Sequence, residues 1–265
     1  MLDLDRYIAR QSPIHAADAR LKFLLTIAFI VAIGLLPTGS FAAIGIAWAA
    51  LVTLSATAGL GPFRLSRGAF IALPFMLAAV PLIFTRPEDP IGSFALGPLT
   101  ITVSGYGLLL FATIAAKSWV SVQAALLLTY TTPFHDLVDG LRRLRLPRIL
   151  VSTISFMYRY LAVLGDEAMR LMRARASRAA DVTGRGGGSI RWRAKVVGGM
   201  VGSLFLRAYE RSERVYAAMQ ARGFEGELKT LHGHVATPVE YAWFVVLLGA
   251  IGLYLAIGIL WLPRA

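Results

Sequence analysis

The sequence contains no cysteine, which excludes disulfides, thiolate metal centres and cysteine nucleophiles. Charge is sparse: Asp, Glu, Lys and Arg make up 16% of the 265 residues, against about a quarter in a soluble domain. Acidic groups are the scarcer sign, 15 against 27 basic ones, for a formal net charge of +12. No histidine, aspartate or glutamate falls inside the long apolar runs described below. A proton relay or an intramembrane hydrolase would need such groups there. The glycine-rich stretch "GRGGGSI" (Gly184–Ile190) is not followed by Gly-Lys-Ser/Thr. It therefore lacks the lysine and hydroxyl of a phosphate-cradling loop and reads as a hinge. The "HGH" pair, His232 and His234, is too small a donor set for a defined metal site and suits a loop. The sequence thus assigns no catalytic residue, no metal ligand and no substrate-binding residue.

What is present is apolar length. The hydrophobic fraction is 57% and the mean hydropathy +0.64, and several runs are long enough to cross a hydrocarbon core of ~30 Å. Five runs stand out: Leu21–Leu36, Phe41–Leu60, Ala69–Phe84 (interrupted by Pro74 and Pro81), Tyr106–Tyr130 with Lys117 inside it, and Tyr241–Leu262. The first leads into further spans and is expected to be retained rather than cleaved. Lys117, the lone ionisable residue in the interior of a span, is expected either to face a polar interior of the complex or to snorkel.

Lysine and arginine are unevenly placed. Four fall within Met1–Lys22 at the entry to the first span, two separate spans two and three, and eighteen lie between spans four and five. All three segments fall on one side if five spans are threaded in order, so that side is expected to be cytoplasmic, with the N-terminus inside and the C-terminus outside. The Glu88-Asp89 loop then lies outside. This arrangement explains the basic balance without nucleic acid, and the bilayer itself is the expected partner of the arginine excess.

The long basic segment is patterned. Ile154, Met157, Leu161, Leu164, Ala168 and Leu171 recur at three- and four-residue steps, and so do Val197, Val201, Leu204, Ala208, Val215 and Met219. Two amphipathic helices of ~25 to 30 residues are expected, joined by the glycine-rich hinge. Ile149–Gly165 can also be read as a further span, at the cost of Arg159 in its middle. Asp136 and Asp139, beside "TTPF", are expected to open an amphipathic helix with Thr132 or Asp136 near its N-terminus. The fold class expected is an all-α integral membrane protein with about five transmembrane helices plus two long amphipathic cytoplasmic helices. The domains expected are a four-helix membrane bundle (1–130), a cytoplasmic helical region (131–238) and a C-terminal transmembrane helix (239–265).

Each amphipathic helix ends near an exposed-looking arginine step. In "AMQARGF" (Ala218–Phe224), Gly223 is placed to be the left-handed residue that closes a helix, with Arg222 in the last turn at the negative end of the helix dipole. In "RARASRAAD" (Arg173–Asp181) the equivalent step is Ser177-Arg178-Ala179. A guanidinium carried on a slim helix end suits bidentate pairing with a carboxylate. Ordinary helix-end arginines would look the same one at a time; the repetition is what argues for a docking device.

The chain resembles the transmembrane coupling (T) component of energy-coupling-factor transporters, in the CbiQ-like cobalt branch. The residues that carry this are "LDRYIARQSPIHAADARLKFLL" (Leu4–Leu25) with its Asp-x-Arg-x-Lys entry to the first span, "TTPFHDLVDGLRRLRLP" (Thr131–Pro147), "MYRYL" (Met157–Leu161) and "AMQARGF", which is close to the family's second Ala-Arg-Gly signature. The first signature is degenerate here, since Ser177-Arg178-Ala179 keeps the arginine and loses the glycine. The resemblance implies a non-enzymatic subunit in which Arg178 and Arg222 contact two ATPase subunits, while Ser177, Ala179, Ala221 and Gly223 permit close approach. It also implies a small substrate-binding membrane (S) subunit as partner, no cofactor in this chain with ATP and magnesium held by the ATPases, and a multi-pass location in a bacterial inner membrane. Cobalt is the substrate it implies first, in the setting of cobalamin biosynthesis, with nickel, biotin or another vitamin as alternatives. A conventional permease half and an intramembrane lipid-modifying enzyme are the competing classes.

Overall fold

The computed structural model describes residues 5–85, 90–96, 99–144, 146–178, 189–226 and 237–260. Among them the chain is almost wholly helical. A short turn of helix, α1 (Pro13–Ala16), leads into α2 (Ala19–Leu35) and α3 (Phe41–Thr57). The third apolar run is broken into α4 (Pro62–Gly68), a 3₁₀ turn over Ala69–Ala72, α5 (Leu73–Ala78) and α6 (Leu82–Thr85). Pro74 and Pro81 supply the breaks, because a proline inside a helix removes a donor and clashes with the preceding turn. Then come α7 (Gly105–Thr131), α8 (Phe134–Arg143), α9 (Arg148–Arg178), α10 (Ile190–Ala221) and α11 (Pro238–Leu260).

A short hairpin accompanies the helices. Pro90–Leu96 (β1) and Leu99–Ser104 (β2) pair antiparallel as a hairpin between α6 and α7. "LTITVS" carries the two-residue alternation of a strand and follows Gly97-Pro98, a turn dipeptide. That signal was present in the sequence but overshadowed by the apolar runs on either side. Glu88 and Asp89 lie outside the described residues.

Among the described residues, the helical segments long and apolar enough to cross a membrane are Phe63–Phe84 (the broken run α4 to α6), Gly105–Thr131, Arg148–Arg178 and Pro238–Leu260, with the shorter apolar Phe41–Thr57. At 17 residues α2 equals Phe41–Thr57 in length. The fold is that of a multi-pass α-helical membrane protein.

The chain divides into two compact units. One comprises Arg6–Gly140 and His234–Ala265, the other Met1–Asp5 and Leu141–Gly233. The first unit is the apolar bundle. Its core is built from Ile33 and Leu36, from Ala43, Ile44, Ala47 and Leu51, from Leu65 and Ala69, and from Val120, Ala124 and Leu127. Ala43, Ala47, Ala69 and Ala124 are interleaved with the larger aliphatic side chains and let the helix backbones approach closely where lipid offers no hydrophobic driving force for association. Gly107 shows the limit, since a Cβ there would lie 2.7 Å from the Leu82 carbonyl oxygen. Specific polar ties supplement packing. The Tyr254 hydroxyl donates to the Ala43 carbonyl at 2.9 Å, joining α11 to α3. Lys117 donates to the carbonyls of Gly34 and Leu36. Its ammonium thus satisfies orphan carbonyls at the C-terminal end of α2, where positive charge also complements the helix dipole. Lys117 is thus partly buried and held by backbone carbonyls at a helix end.

Candidate functional site

The second unit carries the two arginine steps. α10 begins as expected just past the glycine-rich stretch, with the Ser189 side chain accepting from the Trp192 N–H. It ends in a Schellman arrangement: the Gly223 N–H reaches the Gln220 carbonyl and the Phe224 N–H reaches the Met219 carbonyl, both at 3.0 Å. Gly223 has φ 77°, the left-handed conformation that closes a helix. Arg222 is the C-cap and is exposed, as is Ala221. α9 ends at Arg178, exposed like its neighbour Ser177, whose hydroxyl donates to the Ala174 carbonyl at 3.0 Å. Ala179 lies outside the described residues, as do His232 and His234.

α9 and α10 run antiparallel, and among the described residues three ties join α9 to α10 and the turn that follows it. The Ser152 hydroxyl donates to the Gly226 carbonyl at 2.9 Å. The rings of Phe156 and Phe224 meet edge to face at 6.1 Å. Arg207 donates to Glu167 at 3.0 Å, and Glu167 also pairs with Arg170 at 2.6 Å. Glu167 and Arg207 meet across the pair because a long arginine reaches over the helix flank to a half-buried carboxylate. Between these ties the helices part, leaving an open groove of about 1030 Å³ walled by Phe156, Leu164, Ala208, Val215 and Met219. The apolar stripes are therefore real but only partly covered: Met157 and Val201 remain 58% and 60% exposed.

The structure does not bring the two arginine steps together. Arg178 lies eleven residues beyond Glu167, and Arg222 fifteen beyond Arg207 in the opposite direction. At ~1.5 Å rise per residue the tips are on the order of 35–40 Å apart. The arrangement presents two separate cationic helix ends on one antiparallel pair.

A polar knot ties the first unit together where the N-terminal lead, α7 and α11 meet. Asp18 caps α2 by accepting from the Arg20 N–H at 2.8 Å and pairs with the Arg20 guanidinium at 3.1 Å. Although only 4% exposed, it is well served: its own N–H donates to the Glu240 carboxylate at 3.1 Å. Arg20 reaches the Tyr241 hydroxyl, and Glu240 accepts from the Thr237 N–H at 2.6 Å. Lys22 donates to the His15 and Thr131 carbonyls. His15 Nε2 donates to the Ile8 carbonyl, which leaves Nδ1 to accept from the Ser12 hydroxyl at 2.7 Å. Burial pushes the His15 imidazole below its ordinary pKa; the Ile8 carbonyl opposes this and nearby Lys22 and Arg10 add to it. Gly140 of α8 packs so close to Arg20 that a Cβ would lie 3.1 Å from its Cγ. The Asp-x-Arg-x-Lys entry was visible in the sequence, but its partners Glu240 and Tyr241, more than 200 residues away, were not.

Asp136 falls in the first turn of α8, as its sequence position predicts. No group of three or more His, Cys, Asp or Glu side chains able to hold a metal occurs among the described residues.

Comparison with known proteins agrees with this architecture. Residues 10–232 match the family of CbiQ, described as cobalt transport protein. The energy-coupling factor transporter transmembrane protein EcfT of Heliobacterium modesticaldum is 30% identical over 85% of each chain. The cobalt transport protein CbiQ of Rhodobacter capsulatus is 29% identical over 73% of this chain and 77% of its own. The nickel permease LarQ of Lactiplantibacillus plantarum is 35% identical over 36% of this chain, a segment spanning only 33% of LarQ. A further relative is likewise matched over only about half of its length.

Proposed function

The chain belongs to the CbiQ family of cobalt transport proteins, and from that premise we propose that it is the coupling subunit of an ATP-driven importer. In this reading it carries the motion of two ATPase subunits to a small substrate-binding membrane subunit. The observation that carries it is the pair of arginine tips. Arg178 and Arg222 each sit exposed at the C-terminal end of a long helix, at opposite ends of one antiparallel pair. A single scaffold with two similar, well-separated cationic ends fits two copies of an acidic-grooved partner. Each guanidinium offers a fork to a carboxylate, and Gly223 keeps the α10 tip slim with open space around it.

The cross-ties Ser152–Gly226, Phe156–Phe224 and Glu167–Arg207 make the pair move as a unit, so displacement at one tip is felt along both helices. The partly covered stripes along the groove supply apolar surface for the substrate-binding subunit. Catalysis belongs to the ATPases, which hold ATP and magnesium; this chain contributes binding and mechanical transmission. Cobalt is the cargo that the family and the R. capsulatus relative favour, and the partial match to a nickel permease keeps nickel as the second reading.

We place the chain in a bacterial inner membrane with the basic segments in the cytoplasm, the N-terminus inside and the C-terminus outside. Arg159 is exposed at the middle of the apolar first half of α9. Lipid around it would cost several kcal/mol, which supports α9 as a coupling helix rather than a sixth span. Co-purification in mild detergent tests the whole reading: two ATPase chains and one small membrane protein are expected with the wild type. Recovery of the chain alone, even after crosslinking, would count against it.

A further inference from the structure

The bundle holds a second site, unrelated to the arginine tips. Two cavities, of about 640 and 350 Å³, lie between α2, α3, α7 and α11, and they share the lining residues Leu25, Thr26, Leu54, Leu127 and Leu247. They therefore form one continuous groove. Its deep end is closed by Phe29, Ile46 and Tyr254 and its walls are apolar throughout. Its mouth is not: Lys22, Thr131 and Glu240 line it, with Trp243 beside them and 63% exposed.

The mouth lies where α2 and α11 begin and α7 ends, on the side of the basic N-terminal lead, which is the cytoplasmic side by charge. The groove runs seven residues along α2 from Lys22 to Phe29, and fourteen along α11 from Glu240 to Tyr254. These are about 10 and 21 Å at helical rise, bracketing the ~15 Å half-thickness of a hydrocarbon core. The groove is thus one leaflet deep. Its charges are fixed rather than mobile. Two of the three N–H bonds of the Lys22 ammonium go to the His15 and Thr131 carbonyls, while the Glu240 carboxylate is held by the Asp18 and Thr237 N–H groups. Trp243 stands at the depth where indoles gather in a bilayer.

We propose that this groove is a binding site for one phospholipid of the cytoplasmic leaflet, with a zwitterionic phosphoethanolamine headgroup. One acyl chain lies along the apolar walls, the phosphate meets Lys22, and the headgroup ammonium faces Glu240. A transmembrane helix in the same place would have to bring two side chains of opposite charge to this fixed ammonium and carboxylate at the membrane boundary, which one zwitterionic headgroup supplies by itself. A purely anionic headgroup would set its charge against Glu240. The lipid satisfies both signs and seals α11 onto the bundle.

The test uses the full-length chain with whatever subunits accompany it, delipidated and re-supplied with phosphatidylethanolamine or phosphatidylglycerol of identical chains, and read by native mass spectrometry. One bound phosphatidylethanolamine per chain is expected, in preference to phosphatidylglycerol. Leu247→Trp and Leu54→Trp fill the groove from residues that are already 43% and 44% exposed, so the bundle tolerates them, and either is expected to abolish retention. Lys22→Gln is expected to weaken it about fivefold, the effect of one lysine near a headgroup. Equal binding of both lipids, retention by both tryptophan variants at the wild-type level, or no bound lipid in the wild type would each overturn the proposal. So would a photo-crosslinker at Trp243 that captures a protein subunit instead of lipid.

Discussion

Replacing Gly223 by alanine separates the shape of the α10 tip from its charge. Gly223 has φ 77°, and a Cβ added there meets nothing within 4 Å. The substitution therefore introduces no clash and removes no charge. Its cost is the left-handed conformation itself, about 1–2 kcal/mol for a residue with a Cβ. The chain can bear that strain, or unwind the last turn and lose the bonds from the Gly223 and Phe224 N–H groups to Gln220 and Met219. Unwinding also pulls Phe224 off Phe156 and turns Arg222 away from its presented direction. Where the free tip unwinds, docking must rewind it and loses up to the same 1–2 kcal/mol, equivalent to about 5- to 30-fold in affinity for the ATPase subunits. Asparagine tolerates the left-handed region better, so Gly223→Asn should lie between alanine and wild type. The assay is the affinity of purified ATPase subunits for the full chain in detergent, with helical content measured alongside. If alanine and asparagine both bind as wild type while Arg222→Ala does not, the closed helix end is irrelevant and only the charge matters.

Other expectations follow from the same geometry. Lys117→Met should lower thermal stability by about 1–3 kcal/mol, because carbonyls of Gly34 and Leu36 lose a charged donor. Transport at permissive temperature should persist; loss of transport with stability unchanged would make Lys117 part of a cargo path. A reporter fused after residue 265 should be found outside the cytoplasm. A cytoplasmic signal would mean that the apolar half of α9 crosses the membrane.

Much of this fold was legible because membrane helices announce themselves by composition. α3, α7 and α11 fall where the apolar runs predicted them, since lipid demands uninterrupted apolar length and backbone bonds closed within each segment. The breaks at Pro74 and Pro81 were equally local. The α10 end was legible for a different reason, that Gly223 follows a periodic apolar stripe and glycine alone enters the left-handed region cheaply. The polar knot was not legible in the same way. Asp18 could be read as a cap, but nothing near Glu240 marks it as the partner of a residue 222 positions away. Lys117 shows the same limit, since its partners are backbone carbonyls, which leave no mark on sequence. The Glu167–Arg207 tie lay hidden because both residues look like solvent-facing charges of amphipathic helices. The hairpin of β1 and β2 had a signal, the alternation in "LTITVS", that a search for apolar length passes over.

The measurement that bears most directly on the coupling reading is transport and ATPase association in the Arg178→Ala, Arg222→Ala double variant. Both side chains are exposed and neither supports the packing of the helix pair, so folding and membrane insertion should match wild type. The account predicts that the ATPase subunits no longer co-purify and that uptake is lost. Normal uptake by a correctly inserted double variant, with the ATPases still bound, would contradict it.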